Sequence, residues 1–413
     1  MSTSAVAARS FNWRRFLVVF GPGLVVMLAD TDAGSVITAA QSGAQWGYSL
    51  LLLQFILIPI LYIVQELTVR LGAATGLGHA EAIKRYFGAG WAWVSVGTLV
   101  VACVGALLSE LSGLAGVGNL MGVPAPVTLA LAVTALLIVA FTNSYLTVER
   151  IAIVVGGFEL VFLIVALLAR PSLGEIASGA IAIPIGDASY LYLASANIGA
   201  VIMPWMVFFQ QSSVVEKRLT VEDLPQERAD TAIGAVVTQL IMAAVLIAVA
   251  ATLGKGGGDH ALNTIEEISG AITPFIGGFG GKLLLGLGMT GSALVATIVV
   301  TLTAARTLAE VLGVKHKLED EPREAPWFYG FYAAALIIAA VVVGSGVNLV
   351  SLSVGVQVMN SLLLPIVLGF LYLLARRLPG PYRLKGAYGA FCGAAILVTV
   401  VFGVYSGLAG LWS

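Results

Sequence analysis

Apolar residues run through the 413-residue chain in blocks, most of them as long as a helix needs to cross a bilayer, roughly 17 to 25 residues. Read in order, the pattern predicts eleven spans: residues 16–44, 49–69, 91–121, 127–141, 151–169, 191–214, 231–253, 279–312, 327–344, 348–375 and 387–411. A loop with an amphipathic piece, His79–Phe87, is expected before the third span, and a more polar connection over 170–190. Two blocks are interrupted. In the first, Asp30-Thr31-Asp32-Ala33-Gly34-Ser35 separates the apolar half-segments 16–29 and 36–44. Gly34, with small neighbours Ala33 and Ser35, is expected to let the helix unwind and expose carbonyls to a cation. In the sixth, Met203-Pro204 interrupts the run from Asn197 to Trp205. A proline inside a helix removes one donor and crowds an upstream carbonyl, which frees acceptors near Ala200 and Val201. Ala200 and Met203, three apart, share one face. Taken alone, Met203 reads first as a gap-filling core residue.

The composition sharpens this pattern. With 59% hydrophobic residues, 10% charged residues and a mean hydropathy of +0.99, the chain is an all-α membrane protein. Its net charge of −1 argues against a nucleic-acid partner. Cys103 and Cys392 each lie inside an apolar run and read as buried packing residues. The three histidines, His79, His260 and His316, fall in expected loops, which sets aside a histidine-built metal site or an intramembrane histidine relay. Of 21 basic residues, only Arg170, Lys255 and Lys282 fall on one side of the eleven-span arrangement. Under the positive-inside rule the N-terminus is then cytoplasmic and the C-terminus external. No phosphate-binding Gly-Lys-Ser/Thr run is present, and no enzyme motif competes.

Carboxylates at membrane depth cost several kcal/mol unless they face a cavity, a partner or an ion path. Asp32 lies at the first break. Asp30 fits equally a cation-attracting role and a place in the cytoplasmic vestibule. Glu110 and Glu159, within spans three and five, are each expected to be neutral or paired, as a proton carrier or as a structural acid bonded to a neighbouring helix. Glu66 and Arg70, four apart, are expected to form a local ion pair. The two interrupted spans are five helices apart, so the sixth enters from the opposite side. Such an inverted pair of breaks points to a midplane substrate site in a secondary transporter.

Gly21-Pro22-Gly23, Asp32-Ala33-Gly34-Ser35, Ser42-Gly43-Ala44-Gln45-Trp46-Gly47-Tyr48 and Gly199-Ala200-Val201-Ile202-Met203-Pro204 resemble the natural resistance-associated macrophage protein family of divalent-metal transporters. Gln65, Glu110 and Gln357-Val358-Met359-Asn360 extend the likeness. The resemblance implies a leucine-transporter-type fold with two inverted five-helix repeats plus an eleventh helix. As a single transmembrane domain over 1–413, this places repeat one at about 16–169, repeat two at about 191–375 and the extra helix at about 387–411. It also implies a metal site made by Asp32, the Ala200 carbonyl, Met203 and Gln357, with Ser35 where the family has asparagine and Ala33 where it has proline. Trp205 stands where the family has histidine, and Leu107 where it has an aspartate three residues before Glu110. Asp30, Glu110, Glu159, Trp205 and Asn360 are the expected proton or pathway residues.

One carboxylate, neutral oxygens and a soft thioether suit Mn²⁺, Fe²⁺ or Co²⁺ better than Ca²⁺ or Mg²⁺. The missing asparagine and histidine leave room for retained water, which would suit Mg²⁺ and a magnesium-transporting side branch. An organic-solute symporter of the same fold is the further alternative. The expected function is metal transport in an inner or plasma membrane, with weak or absent proton coupling. Its partners would be the divalent metal substrate and the lipid bilayer, with no cofactor.

Overall fold

The computed structural model describes residues 22–140, 154, 156–253, 260–313 and 323–412. Among these residues it is helical, with no strand. The first span is split into α1 (Pro22–Asp30) and α2 (Ala33–Trp46). Then come α3 (Leu51–Thr75), the amphipathic α4 (His79–Phe87), α5 (Ala89–Leu120) and α6 (Ala125–Ala140). A 3-10 turn, Gly157–Leu160, leads into α7 (Val161–Leu168), which bends by 108° into α8 (Leu173–Ala180). The sixth span is split into α9 (Ala188–Val201) and α10 (Pro204–Glu216). The remainder is α11 (Leu224–Leu253), α12 (Ile265–Ile276), α13 (Gly278–Leu312), α14 (Pro326–Gly344), α15 (Leu349–Ala375) and α16 (Gly386–Leu411).

Among the described residues, eight segments are long and apolar enough to cross a membrane, the split α9–α10 counting as one. The broken α1–α2, the shorter α6 and the 157–168 segment occupy the places predicted for spans one, four and five. The start of span one and residues 151–153 and 155 of span five lie outside the described residues, as do Lys255 and His316.

Three expectations need correction. Gly34 does not unwind the helix. The break is confined to Thr31 and Asp32, because the Asp32 side chain caps α2 and lets the helix resume at Ala33. The polar connection 170–190 contains a helix, α8, and α12 stands between spans seven and eight, where the apolar pattern predicted none. His79 is not in a loop either. It is the first residue of α4, fully buried, with Nδ1 2.8 Å from Gln211 Oε1 of α10 and its ring edge-on to Phe208. Burial pushes its imidazole down to about 4, so it stays neutral at physiological pH.

Helix packing positions the breaks. α9 packs on α15 and α16, α2 on α11, and α5 on both α13 and α15. The α9–α15 approach is as close as backbones allow, since a Cβ on Gly199 would stand 2.7 Å from Ser361 N and 2.9 Å from the Gln357 carbonyl carbon. α1 is stitched to α11 by Gly23 N donating to Asp230 Oδ2 at 2.8 Å and Thr238 Oγ1 donating to Met27 O at 2.7 Å. Glu66 and Arg70 pair as expected at 2.7 Å, and Arg228 of α11 joins them at 2.7 Å on the same Glu66 oxygen. Both cysteines are buried and free.

Candidate functional site

The two breaks meet in the interior. At the first, Asp32 Oδ1 accepts from Ser35 N at 2.6 Å, while Asp32 Oδ2 is buried without a hydrogen-bond partner. At the second, the Ala200 carbonyl would ordinarily accept from the residue four ahead, but that residue is Pro204, which has no N–H. Ser35 fills the vacancy, its Oγ donating to Ala200 O at 3.1 Å. A hydroxyl on one broken helix thus satisfies the carbonyl orphaned by the other. Asp32, Ser35, Ala200 and Met203 are all at least 95% buried.

Gln357 reaches the same point from α15. Its amide nitrogen lies against Gly34, and its side chain, like that of Glu110, faces the Asp32 carboxylate. Asn360 Nδ2 donates to Gln357 Oε1 at 2.9 Å, while Gln357 Nε2 and Asn360 Oδ1 lack partners. Amide oxygen and nitrogen are assigned from the hydrogen-bond network. Exchanging them in both residues preserves the pair and turns the Gln357 oxygen toward Asp32. Met203, in the second break, accepts from the buried Trp205 Nε1 at 3.1 Å on its sulfur. No group of three His, Cys, Asp or Glu side chains able to hold a metal occurs among the described residues, so any cation held here relies on neutral donors around few carboxylates.

The remaining acids divide by position. Glu110 of α5 accepts from Ala33 N at 3.0 Å on Oε2 and leaves Oε1 without a partner. Glu159, in the 3-10 turn, is bonded to the Thr31 hydroxyl, which also lies 2.9 Å from Leu28 O. It therefore touches the first break from the side opposite Glu110 in sequence, through a residue the motif reading passed over. Asp30 is buried, and neither of its carboxylate oxygens has a hydrogen-bond partner.

Sequence reasoning also missed a polar file on one side of the site. Gln54 Nε2 donates to Asn197 Oδ1 at 2.5 Å, and Asn197 Nδ2 donates to Ser42 Oγ at 2.8 Å, linking α3, α9 and α2. The signal was present, since each is a polar residue inside an apolar run. Next to it a cavity of about 320 Å³ is lined by uncharged groups, among them Gln41, Gln45, Tyr192, Asn263 and Ser351. Leu262 N donates to Gln41 Oε1 at 2.9 Å at its edge, so the segment before α12 is latched to α2.

The profile of the natural resistance-associated macrophage protein-like family matches residues 23–409. A divalent metal cation transporter, MntH, of Staphylococcus aureus is 31% identical over 228 residues, which cover 54% of this chain and 50% of that relative. The match thus spans about half the length of the curated relatives. Among solved structures, the Eremococcus coleocola manganese transporter superposes with a TM-score of 0.76 at 19% identity, covering 100% of this chain and 91% of that one. MhsT, solved in complex with L-phenylalanine, gives 0.64 at 14% identity, covering 94% and 98%. These likenesses show the leucine-transporter-type fold.

Proposed function

Because the chain belongs to the natural resistance-associated macrophage protein-like family, we propose that it is a secondary transporter of divalent metal cations. Transport proceeds by alternating access around a site formed by Asp32, Ser35, the Ala200 carbonyl, Met203 and Gln357, with Mn²⁺ preferred. The observation that carries this reading is the convergence of the two breaks, where the Ser35–Ala200 bond sets neutral oxygens beside a buried carboxylate oxygen that has no partner. A divalent cation supplies the charge such an oxygen lacks. Asn360 acts as a positioning residue by holding the Gln357 amide. The Met203 thioether favours Mn²⁺ over harder ions.

A Mg²⁺ reading is favoured by one observation: Ser35 Oγ and Ala200 O are engaged with each other, which leaves fewer donors for the ion and more room for its water. The fold does not separate metal from organic cargo, since MhsT shares it. We place the protein in an inner or plasma membrane with its N-terminus cytoplasmic, on the basic-residue asymmetry. The repeats run over about 16–169 and 191–375.

Proton coupling is weak or absent in this reading, because Trp205 and Leu107 cannot titrate and His79 is buried, neutral and bound to Gln211. The test is flux of Mn²⁺ and Mg²⁺ into proteoliposomes at symmetric pH, with an internal pH dye read in parallel. Mn²⁺ entry without acidification is the expected result. Acidification that tracks Mn²⁺ and vanishes in Glu110→Gln refutes the uncoupled reading, and no flux of either ion refutes metal transport.

A further inference from the structure

A cluster of cations far from the two breaks is left unexplained by transport. At the end of α15, Arg377 Nη1 donates to the Tyr86 carbonyl of α4 at 2.7 Å, and its guanidinium lies 4.1 Å from the centroid of the Phe87 ring. Phe87 and Trp91 both pack edge-on against Phe370 of α15, at 5.3 and 5.6 Å. The end of α4 is therefore fixed against the end of α15, which puts Arg85, next to Tyr86 in the chain, and Arg376, next to Arg377, at the same end of the bundle. Past α15 the chain turns through Gly380–Tyr382, and Leu384 N returns to Ala375 O at 3.0 Å. Arg383 and Lys385 flank this anchored leucine, so the main chain holds them at the end of α15.

All five cations are exposed, and none forms an ion pair among the described residues. Glu81, one turn before Arg85 on α4, is the nearest acid along that helix, and residues 370–390 contain none. Like charges held at one end of a bundle raise one another's energy unless an anion balances them. The surroundings say which anion. Tyr86, Trp91 and Tyr388 are exposed at 37%, 54% and 43%, and such rings belong at the level of lipid headgroups. Leu373 and Phe391, exposed at 46% and 60%, continue into the apolar faces of α15 and α16. A soluble acidic partner would have to reach charges set among rings that sit in the bilayer interface, whereas headgroup phosphates already lie there.

We propose that Arg85, Arg376, Arg377, Arg383 and Lys385 form a binding site for the headgroup of an anionic phospholipid. Arginine presents a planar fork of donors to the phosphate, and Lys385 adds a point charge. The site stands independently of the ion carried and of the orientation of the chain.

The test uses the full chain in mixed micelles of phosphatidylglycerol and phosphatidylcholine, with retained lipid read by native mass spectrometry. The wild type is expected to retain phosphatidylglycerol in preference. The variant Arg376→Gln/Arg383→Gln/Lys385→Gln leaves Arg377 to hold α4 and should lose roughly fivefold of that preference for each charge removed. Raising salt from about 50 to about 500 mM should erode it in the wild type. The charge-conserving Arg376→Lys/Arg383→Lys should keep most of it. Equal retention of both lipids by the wild type, or full preference in the triple variant, overturns the proposal. If the triple variant does not fold, Arg383→Gln alone with the same salt series decides: an unchanged preference overturns the site, and a fall of about fivefold supports it.

Discussion

Exchanging Asp32 for asparagine removes a charge while keeping a shape, and the structure says what each part is worth. The Asp32 side chain caps α2 through one oxygen, at 2.6 Å from Ser35 N, and leaves the other buried without a partner. Asparagine caps as well as aspartate, so Asp32→Asn keeps the helix start, while Asp32→Ala forfeits about 0.5 to 2 kcal/mol. The charge is a separate matter. Two unit charges about 4 Å apart at an effective dielectric of about 20 attract by about 4 kcal/mol, and a divalent ion doubles that. Most of it is offset as ion and carboxylate shed water. If a quarter of the doubled figure survives, about 2 kcal/mol remains, or about 30-fold in Kd. Isothermal titration of Mn²⁺ should therefore show Asp32→Asn weaker by at least about 30-fold. Its thermal unfolding without metal should come no earlier than that of the wild type, because a buried unpaired charge has gone. Asp32→Ala should lose similar affinity and melt below Asp32→Asn. Wild-type Mn²⁺ affinity in Asp32→Asn would refute the site, and a lower melting point in Asn than in Ala would refute the separation of cap from charge.

Two further substitutions probe the other donors. Met203→Ala should weaken discrimination between Mn²⁺ and excess Ca²⁺ or Mg²⁺ more than it slows uptake, since only the soft donor is lost; unchanged competition would mean that Met203 only packs. Gly34→Ala puts a Cβ 2.5 Å from Ser109 Oγ and against Gln357 Nε2, both of them side-chain ends that can swing away. The fold should survive, while Mn²⁺ affinity falls roughly tenfold as Gln357 is pushed aside, the worth of one neutral polar contact; unchanged affinity would show that Gln357 does not ligate.

The breaks were legible in the sequence because their causes are local. A proline without a donor marks the second, and aspartate inside an apolar run marks the first. Its extent was misread because glycine looked like the weak point, whereas the cap formed by Asp32 ends the irregular stretch one residue later. The missed helices were also locally signalled. Ser172 and Glu175 at the start of α8, and Thr264 and Glu267 at the start of α12, have the spacing of a capping box, with the hydroxyl accepting from the glutamate N–H at 3.4 and 3.2 Å. Apolar length, tuned to bilayer crossing, passed over helices this short. What no local reading supplies is the partner from afar. The burial of His79 depends on Gln211, 132 positions away, and the contact of Glu159 with the first break depends on Thr31, 128 positions away.

The backbone contact at Gly199 bears on how the proposed site tells ions apart by size. Ala200 follows that glycine, and the backbone of Gln357 carries the carbonyl it rests on, so the main chains that bear two of the five donors belong to one rigid piece. Asp32 and Ser35 belong to the other piece, separated from the first by a single hydroxyl-to-carbonyl spacer. The arrangement is a caliper with one fixed jaw. Metal–oxygen distances run from about 2.0–2.1 Å for Mg²⁺ to about 2.3–2.6 Å for Ca²⁺. Whatever part of that difference the main chain absorbs falls to the travel of α2 against the α9–α15 pair, and the grip on an ion is set by how far that one jaw can open.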